Sequence, residues 1–205
     1  FTIATRLRGT NEIMTDMYED PELVHALQNA VVALDIEIGR ALIESGVDYI
    51  FYGADMECPL LISPSHYREF VHKPTSKVVN ALAGLGARVL PHMCGDIVNT
   101  GIVDMLLEMD IHGIMPGNLT QDTVLDVREL KEKVGDRTCI FGNINPNGCL
   151  LIGKPDEVAG ETLMHLKSAG GMSGYIFSTS GTTSPATPRE NFAAMNREVL
   201  NFKWS

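Results

Sequence analysis

Strand-like and helix-like segments alternate along this sequence from end to end. Short apolar runs rich in β-branched and aromatic residues lie at 1–7, 47–52, 88–93, 111–115, 138–141 and 174–177. Helical spacing of apolar residues fills the gaps, at 22–45, 64–85, 96–109, 124–134, 155–169 and 187–200, with a short helical turn at 14–18. Strands separated by helices predict a parallel sheet built from βα units, the α/β class. About six strands are expected.

Local signals set several boundaries. Asp20-Pro21-Glu22 and Ser63-Pro64 read as helix starts, each a capping side chain followed by proline. Gly46 and Gly86 read as helix ends. In the first long helix, Leu23, Ala26, Leu27, Ala30, Val31, Leu34, Ile38 and Leu42 recur at helical spacing and are expected to face inward. A break is expected near Pro74, and Asp96 reads as the cap of the helix after it.

Two architectures fit: an open doubly wound sheet or part of a (β/α)8 TIM barrel. No Gly-x-Gly-x-x-Gly follows a strand and opens a helix, which counts against a dinucleotide-binding open sheet. A full barrel takes roughly 250 residues. A chain of 205 residues that opens on a strand-like run reads as a barrel lacking its first strands, and as a fragment. Such a barrel would expose sheet edges. They are expected to be covered by a partner chain, as in a homo-oligomer, or by the rest of a longer protein.

Chemistry-bearing residues collect at the strand ends: Asp55, Glu57 and Cys58, then His92 and Cys94, Asn118, Asn143 and Asn145, and Ser178 and Ser180. Active sites of barrels sit at that end of the strands. Turn chemistry accounts for Gly, Asn, Asp and Ser in such places. It accounts less well for His92 and Cys94. Two residues apart on a strand, these side chains share a face, so an imidazole and a thiolate would meet at one point, as half of a zinc site requires. A packed strand end is the plainer alternative. Cys139 opens its strand, more than about 10 Å from the site end, and is set aside. Cys149 lies past the next loop and stays open as a ligand. Glu57 and Cys58 are the better candidates, with Asp55 behind them, although Cys58 also suits a small buried position ahead of Pro59. His25, His66, His72, His112 and His165 read as surface or packing residues, and the ten Met residues as core filler.

The formal charge of -10 disfavours a nucleic-acid partner. No apolar run is long enough to span a bilayer. Four scattered Cys suit reduced thiols and a cytoplasmic setting.

Five segments carry a family resemblance: Gly46-Val47-Asp48-Tyr49-Ile50, Ile62-Ser63-Pro64-Ser65-His66-Tyr67-Arg68-Glu69-Phe70, His92-Met93-Cys94-Gly95-Asp96, Phe141-Gly142-Asn143-Ile144-Asn145-Pro146 and Thr187-Pro188-Arg189-Glu190-Asn191. In order and spacing they resemble the uroporphyrinogen decarboxylase superfamily, which includes zinc-dependent methyltransferases working with corrinoid proteins. The resemblance spans essentially the whole chain and implies a (β/α)8 barrel in one domain over residues 1–205.

For the methyltransferase branch, the resemblance implies zinc held in part by His92 and Cys94, and position on the neighbouring strand end makes Glu57 or Cys58 the candidate further ligands. Asp55, Asn118, Asn143, Asn145, Ser178 and Ser180 would then contact substrate. The partners would be a methylcorrinoid (methylcobalamin) protein and a small thiol or folate. That branch carries a second Cys in the last-strand turn, where this chain reads Ser180-Gly181-Thr182. The decarboxylase branch, which needs no metal and acts on tetrapyrrole acetate groups, carries a His there. The chain departs from both, which keeps a non-catalytic corrinoid- or tetrapyrrole-binding barrel as a third reading. Retention of His-x-Cys favours methyl transfer.

Overall fold

The computed structural model of the chain describes residues 1–54, 56–118, 126–171 and 173–204. It is α/β, with five strands among the described residues, ordered as in the sequence. Two compact units divide it, residues 1–113 and 114–205.

The first unit opens with helices α1 (Thr2–Arg8), α2 (Thr10–Glu19) and α3 (Pro21–Glu44). Residues 1–7 are thus helical, against the strand expected. Phe1, Ala4 and Thr5 are buried at helical spacing, and the Thr5 hydroxyl donates to the Thr2 carbonyl, so packing overrides β propensity. Gly9, at φ 101°, separates α1 from α2. Asp20 caps α3 as expected, accepting the Leu23 N–H at 3.1 Å.

The buried face of α3 is only in part the one expected: of the residues named for it, Val31 is buried. Val24, Gln28, Val31 and Gly39 are buried, whereas Leu23, Leu34, Ile38 and Leu42 are 41–48% exposed. Gly39 explains the choice. A Cβ there would sit 2.4 Å from Leu82 Cδ2, so the missing side chain lets the two helices close.

Strand β1 (Tyr49–Ala54) follows, then a short helix α4 (Pro64–His66), a π-helical turn (Tyr67–His72) and α5 (Lys73–Gly84). The expected break near Pro74 is a change of winding rather than a gap. Proline has no N–H for the carbonyl four residues back. That carbonyl, Phe70's, accepts instead from Gln28 Nε2 at 3.0 Å, which is why a glutamine lies buried in α3.

Strand β2 (Arg88–Cys94) pairs in parallel with β1, Gly53 standing opposite His92. The next helix, α6, is short (Ile102–Leu106). Asp96 therefore caps no helix; its carboxylate closes a turn on Asn99, accepting from the backbone N–H and from Nδ2 at 2.9 Å each. The expected inward residues Ile97, Val98, Ile102, Met105 and Leu106 are all buried.

His72 is buried beside this segment and donates from Nε2 to the Met105 carbonyl at 3.0 Å. Burial pushes its pKa down, helped by the Arg68 charge and opposed by Glu108. An unfolded histidine titrates near pH 6.5. Below that pH the unfolded chain takes up a proton that the folded chain resists, so stability is lost as pH falls. Urea midpoints at pH 7.5 and pH 5.5 should therefore differ, and His72→Gln should shrink the difference. A variant with the full wild-type dependence would remove His72 as its source.

Strand β3 (Gly113–Gly117) leads into the second unit, followed by α7 (Val127–Val134), β4 (Cys139–Ile144), α8 (Cys149–Ile152), α9 (Pro155–Ala169), β5 (Tyr175–Thr179) and α10 (Arg189–Asn201). Strands β4 and β5 run parallel, Asn143 opposite Ser178. Ile144, Leu150 and Val158 form a buried cluster edged by Phe177, Phe192 and Met195. Asn191, wholly buried, ties α10 to it, its Nδ2 donating to the carbonyls of Leu150 (3.0 Å) and Gly153 (2.9 Å). Among the described residues no helix is long and apolar enough to cross a membrane.

Candidate active site

The strand ends of each unit carry one set of candidate residues. In the first unit, β2 extends through His92 to Cys94 and then turns at Gly95, whose φ of 95° suits glycine. The two side chains share a face, as the spacing required. His92 Nε2 and Cys94 Sγ stand 3.6 Å apart. Phe51 on β1 stacks against the His92 ring at 5.4 Å between centroids, fixing its plane. Nothing in the sequence pattern singled out Phe51. Parallel pairing of β1 with β2 is what brings it there.

The 3.6 Å separation bears on a metal. A nitrogen at about 2.05 Å and a sulfur at about 2.3 Å from a tetrahedral zinc lie about 3.6 Å from each other. The contact is that of a thiol–imidazole hydrogen bond, and its length is also compatible with two ligands of one zinc. Among the described residues no group of three or more His, Cys, Asp or Glu side chains could hold a metal.

Glu57 and Cys58 form no such group with the pair among the described residues. Glu57 is buried; its Oε1 accepts the Thr2 N–H at 3.3 Å, and its Oε2 has no hydrogen-bond partner among the described residues. Cys58 is buried too, and its carbonyl accepts from Leu61 and Ile62 in a tight turn, the packing role open to it from the sequence. Asp55 lies outside the described residues.

In the second unit, Asn118 follows β3, Asn143 lies within β4, Asn145 follows it, and Ser178 and Ser180 lie in and after β5. All but Ser178 are buried. Asn145 Oδ1 accepts the Asn147 N–H at 3.0 Å, and Ser178 Oγ donates to the Thr179 carbonyl at 3.1 Å. Among the described residues, neither Nδ2 nor Oδ1 of Asn118 has a hydrogen-bond partner, nor does Ser180 Oγ.

Cys149 opens α8, as its position suggested. Its thiol is pushed up to about 12, first by burial and then by Glu161, to which it is hydrogen bonded. Glu161 also faces His165 Nε2 at 3.6 Å and accepts from the Asn145 backbone, and these neighbours together with the Cys149 thiol hold its carboxyl below the usual range despite burial. The spacing of Glu161 and His165, four apart on a helix, was a usable signal for this cluster. A thiol held protonated makes a poor nucleophile and a poor metal ligand. Cys149 should therefore alkylate at pH 7.5 at least about tenfold more slowly than a free cysteine thiol. Mass-mapped iodoacetamide labelling reads this, and labelling at the free-thiol rate would contradict it. Cys139, at the first position of β4, is pushed up as well, chiefly by burial.

Comparison with known proteins places these features. The family model described as Uroporphyrinogen decarboxylase (URO-D) matches residues 1–202. A uroporphyrinogen decarboxylase of Coxiella burnetii (strain Dugway 5J108-111) is 26% identical over 200 residues, covering 91% of this chain and 49% of its own length. A methylcobamide:CoM methyltransferase MtaA of Methanosarcina barkeri is 24% identical over 194 residues, 95% of this chain and 53% of the relative. Among solved structures, a methyltransferase from Methanosarcina mazei superposes with a TM-score of 0.80 at 22% identity, over 96% of this chain and 55% of that one. At that identity the likeness is one of fold, and it agrees with the partial barrel that the alternation of strands and helices implies. The chain spans about half the length of the curated relatives it matches.

Proposed function

The chain belongs to the uroporphyrinogen decarboxylase (URO-D) family, and from that premise we propose that it moves a methyl group from a corrinoid protein to a small thiol acceptor. The observation that carries the reading is the pairing of His92 Nε2 with Cys94 Sγ at the spacing of two zinc ligands. His92 would give a neutral imidazole nitrogen, its plane set by Phe51, and Cys94 a thiolate. Zinc bound there would supply a deprotonated acceptor thiol, nucleophilic at neutral pH. Relatives on both branches share this level of likeness, so overall identity does not choose between them and the reading rests on the His-x-Cys pair.

The test is metal content. The purified protein, from zinc-replete medium, should hold near one zinc per chain, and Cys94→Ala should lose it. A zinc-free wild type that decarboxylates uroporphyrinogen would replace this reading with the decarboxylase one. A zinc-free protein that turns over neither substrate but binds a corrin would be a binding barrel.

A further inference from the structure

We infer that Phe51 is a positioning residue for the strand-end pair: its ring lies against the His92 imidazole and holds Nε2 on the side of Cys94, the orientation from which the two side chains can share one metal ion. The inference rests on the zinc reading above and deepens it, and one arm of its test needs no metal.

Strand geometry puts His92 and Cys94 on one face and leaves the imidazole free to turn. The χ2 torsion of histidine is broad, so Nε2 could swing away from Sγ with the backbone unchanged. The two atoms nevertheless stand 3.6 Å apart. A neighbour that meets the flat of the ring narrows that torsion.

The pairing of β1 with β2 supplies such a neighbour. Gly53 stands opposite His92. With no side chain at position 53, the Phe51 ring leans into the place beside the imidazole: its Cε1 lies 3.7 Å from where a Cβ on Gly53 would stand. The Phe51 and His92 rings are stacked, 5.4 Å between centroids and 28° between planes. An imidazole in that position cannot turn about χ2 without driving its edge into the ring face or giving up the stack. Core packing is the plainer role for an aromatic on a strand. Phe51 is 54% exposed and Ile50 beside it 6%, so of the two it is Ile50 that serves the core. Groups that orient a metal-binding imidazole govern metal affinity, and their loss costs about 10–100-fold.

The test compares Phe51→Leu, which keeps an apolar side chain without a flat ring, with Phe51→Tyr, which keeps the ring. Zinc affinity of the purified protein is read by competition with a chromophoric chelator, and coordination by the visible absorption of the cobalt(II)-loaded protein. In metal-free protein the His92 ring protons are followed by NMR, identified by their loss in His92→Gln. Phe51→Leu should weaken zinc binding at least about tenfold, change the cobalt bands and release the His92 protons from the ring-current shift of the stacked phenyl. Phe51→Tyr should keep all three close to wild type. A merely structural role would lower the thermal midpoint and leave the cobalt bands unchanged, and that result overturns the inference. Wild-type zinc affinity in Phe51→Leu overturns it too, as does an equal loss in Phe51→Tyr. A wild type that binds no zinc would sink the methyl-transfer reading and leave the ring protons to decide. Signals indifferent to Phe51→Leu would then overturn the positioning role, and a shift lost in Phe51→Leu but kept in Phe51→Tyr would uphold it.

Discussion

Cys94→Ala should slow methyl transfer from methylcobalamin to a thiol by about 10³-fold. Two losses add. An ordinary thiol is only a few per cent ionised at pH 7, so an acceptor no longer held as thiolate loses roughly 30-fold. An acceptor no longer held in place loses roughly another 10²-fold. Cys94 is half-buried at a strand end, so its truncation removes little packing, and the thermal midpoint should move by only a few degrees. His92→Ala should match the loss. Because the two side chains act as a unit, the double variant should be no slower than either single one. Initial rates of thiol methylation across the four proteins, with zinc measured in each, check the prediction. Multiplying losses in the double variant would mean that the residues act separately.

Phe70→Ala should destabilise the protein by about 3–5 kcal/mol, the range for deleting a buried aromatic ring. Phe70 is 1% exposed in the π-helical turn, and the His25 ring stacks on it from α3 at 4.9 Å between centroids. Removal opens a void between elements already fixed by the Gly39–Leu82 approach, so collapse cannot fill it. With a urea dependence of about 2 kcal/mol per molar, the midpoint should fall by roughly 1.5–2.5 M. Phe70→Leu should lose less than half as much. A Phe70→Ala midpoint within 0.5 M or so of wild type would contradict this packing.

Strand and helix order was legible because it rests on signals a few residues long: the Asp20 and Ser63 caps and the apolar runs of β1, β2 and β4. What the sequence hid depends on distant partners. The β-branched opening residues became helix because Phe1 and Ala4 found burial at that spacing. The face of α3 was misjudged because hydrophobicity marks large side chains, whereas the contact forms where a side chain is missing, at Gly39. The helix after β2 is shorter than its apolar spacing implied, since Asp96 spends its carboxylate on Asn99 and Gly101 takes φ 75° just before α6.

At the site, His92 and Cys94 were readable because strand geometry alone puts positions i and i+2 on one face. The guess that Glu57 would join them rested on neighbouring strand ends. In the structure Glu57 Oε1 accepts the Thr2 N–H, while its buried Oε2 has no hydrogen-bond partner among the described residues. Phe51 reaches His92 only through the pairing of β1 with β2, which spacing near the motif could not report, whereas the i, i+4 spacing of Glu161 and His165 was open to reading.

The Gln28 side chain that stands in for the N–H missing at Pro74 makes these two positions an epistatic pair. Gln28→Leu alone strands a buried carbonyl; in a Pro74→Ala background the chain can supply its own donor, and the same change becomes nearly neutral. Selection would then see positions 28 and 74 as one locus, free to drift together and penalised when they drift apart.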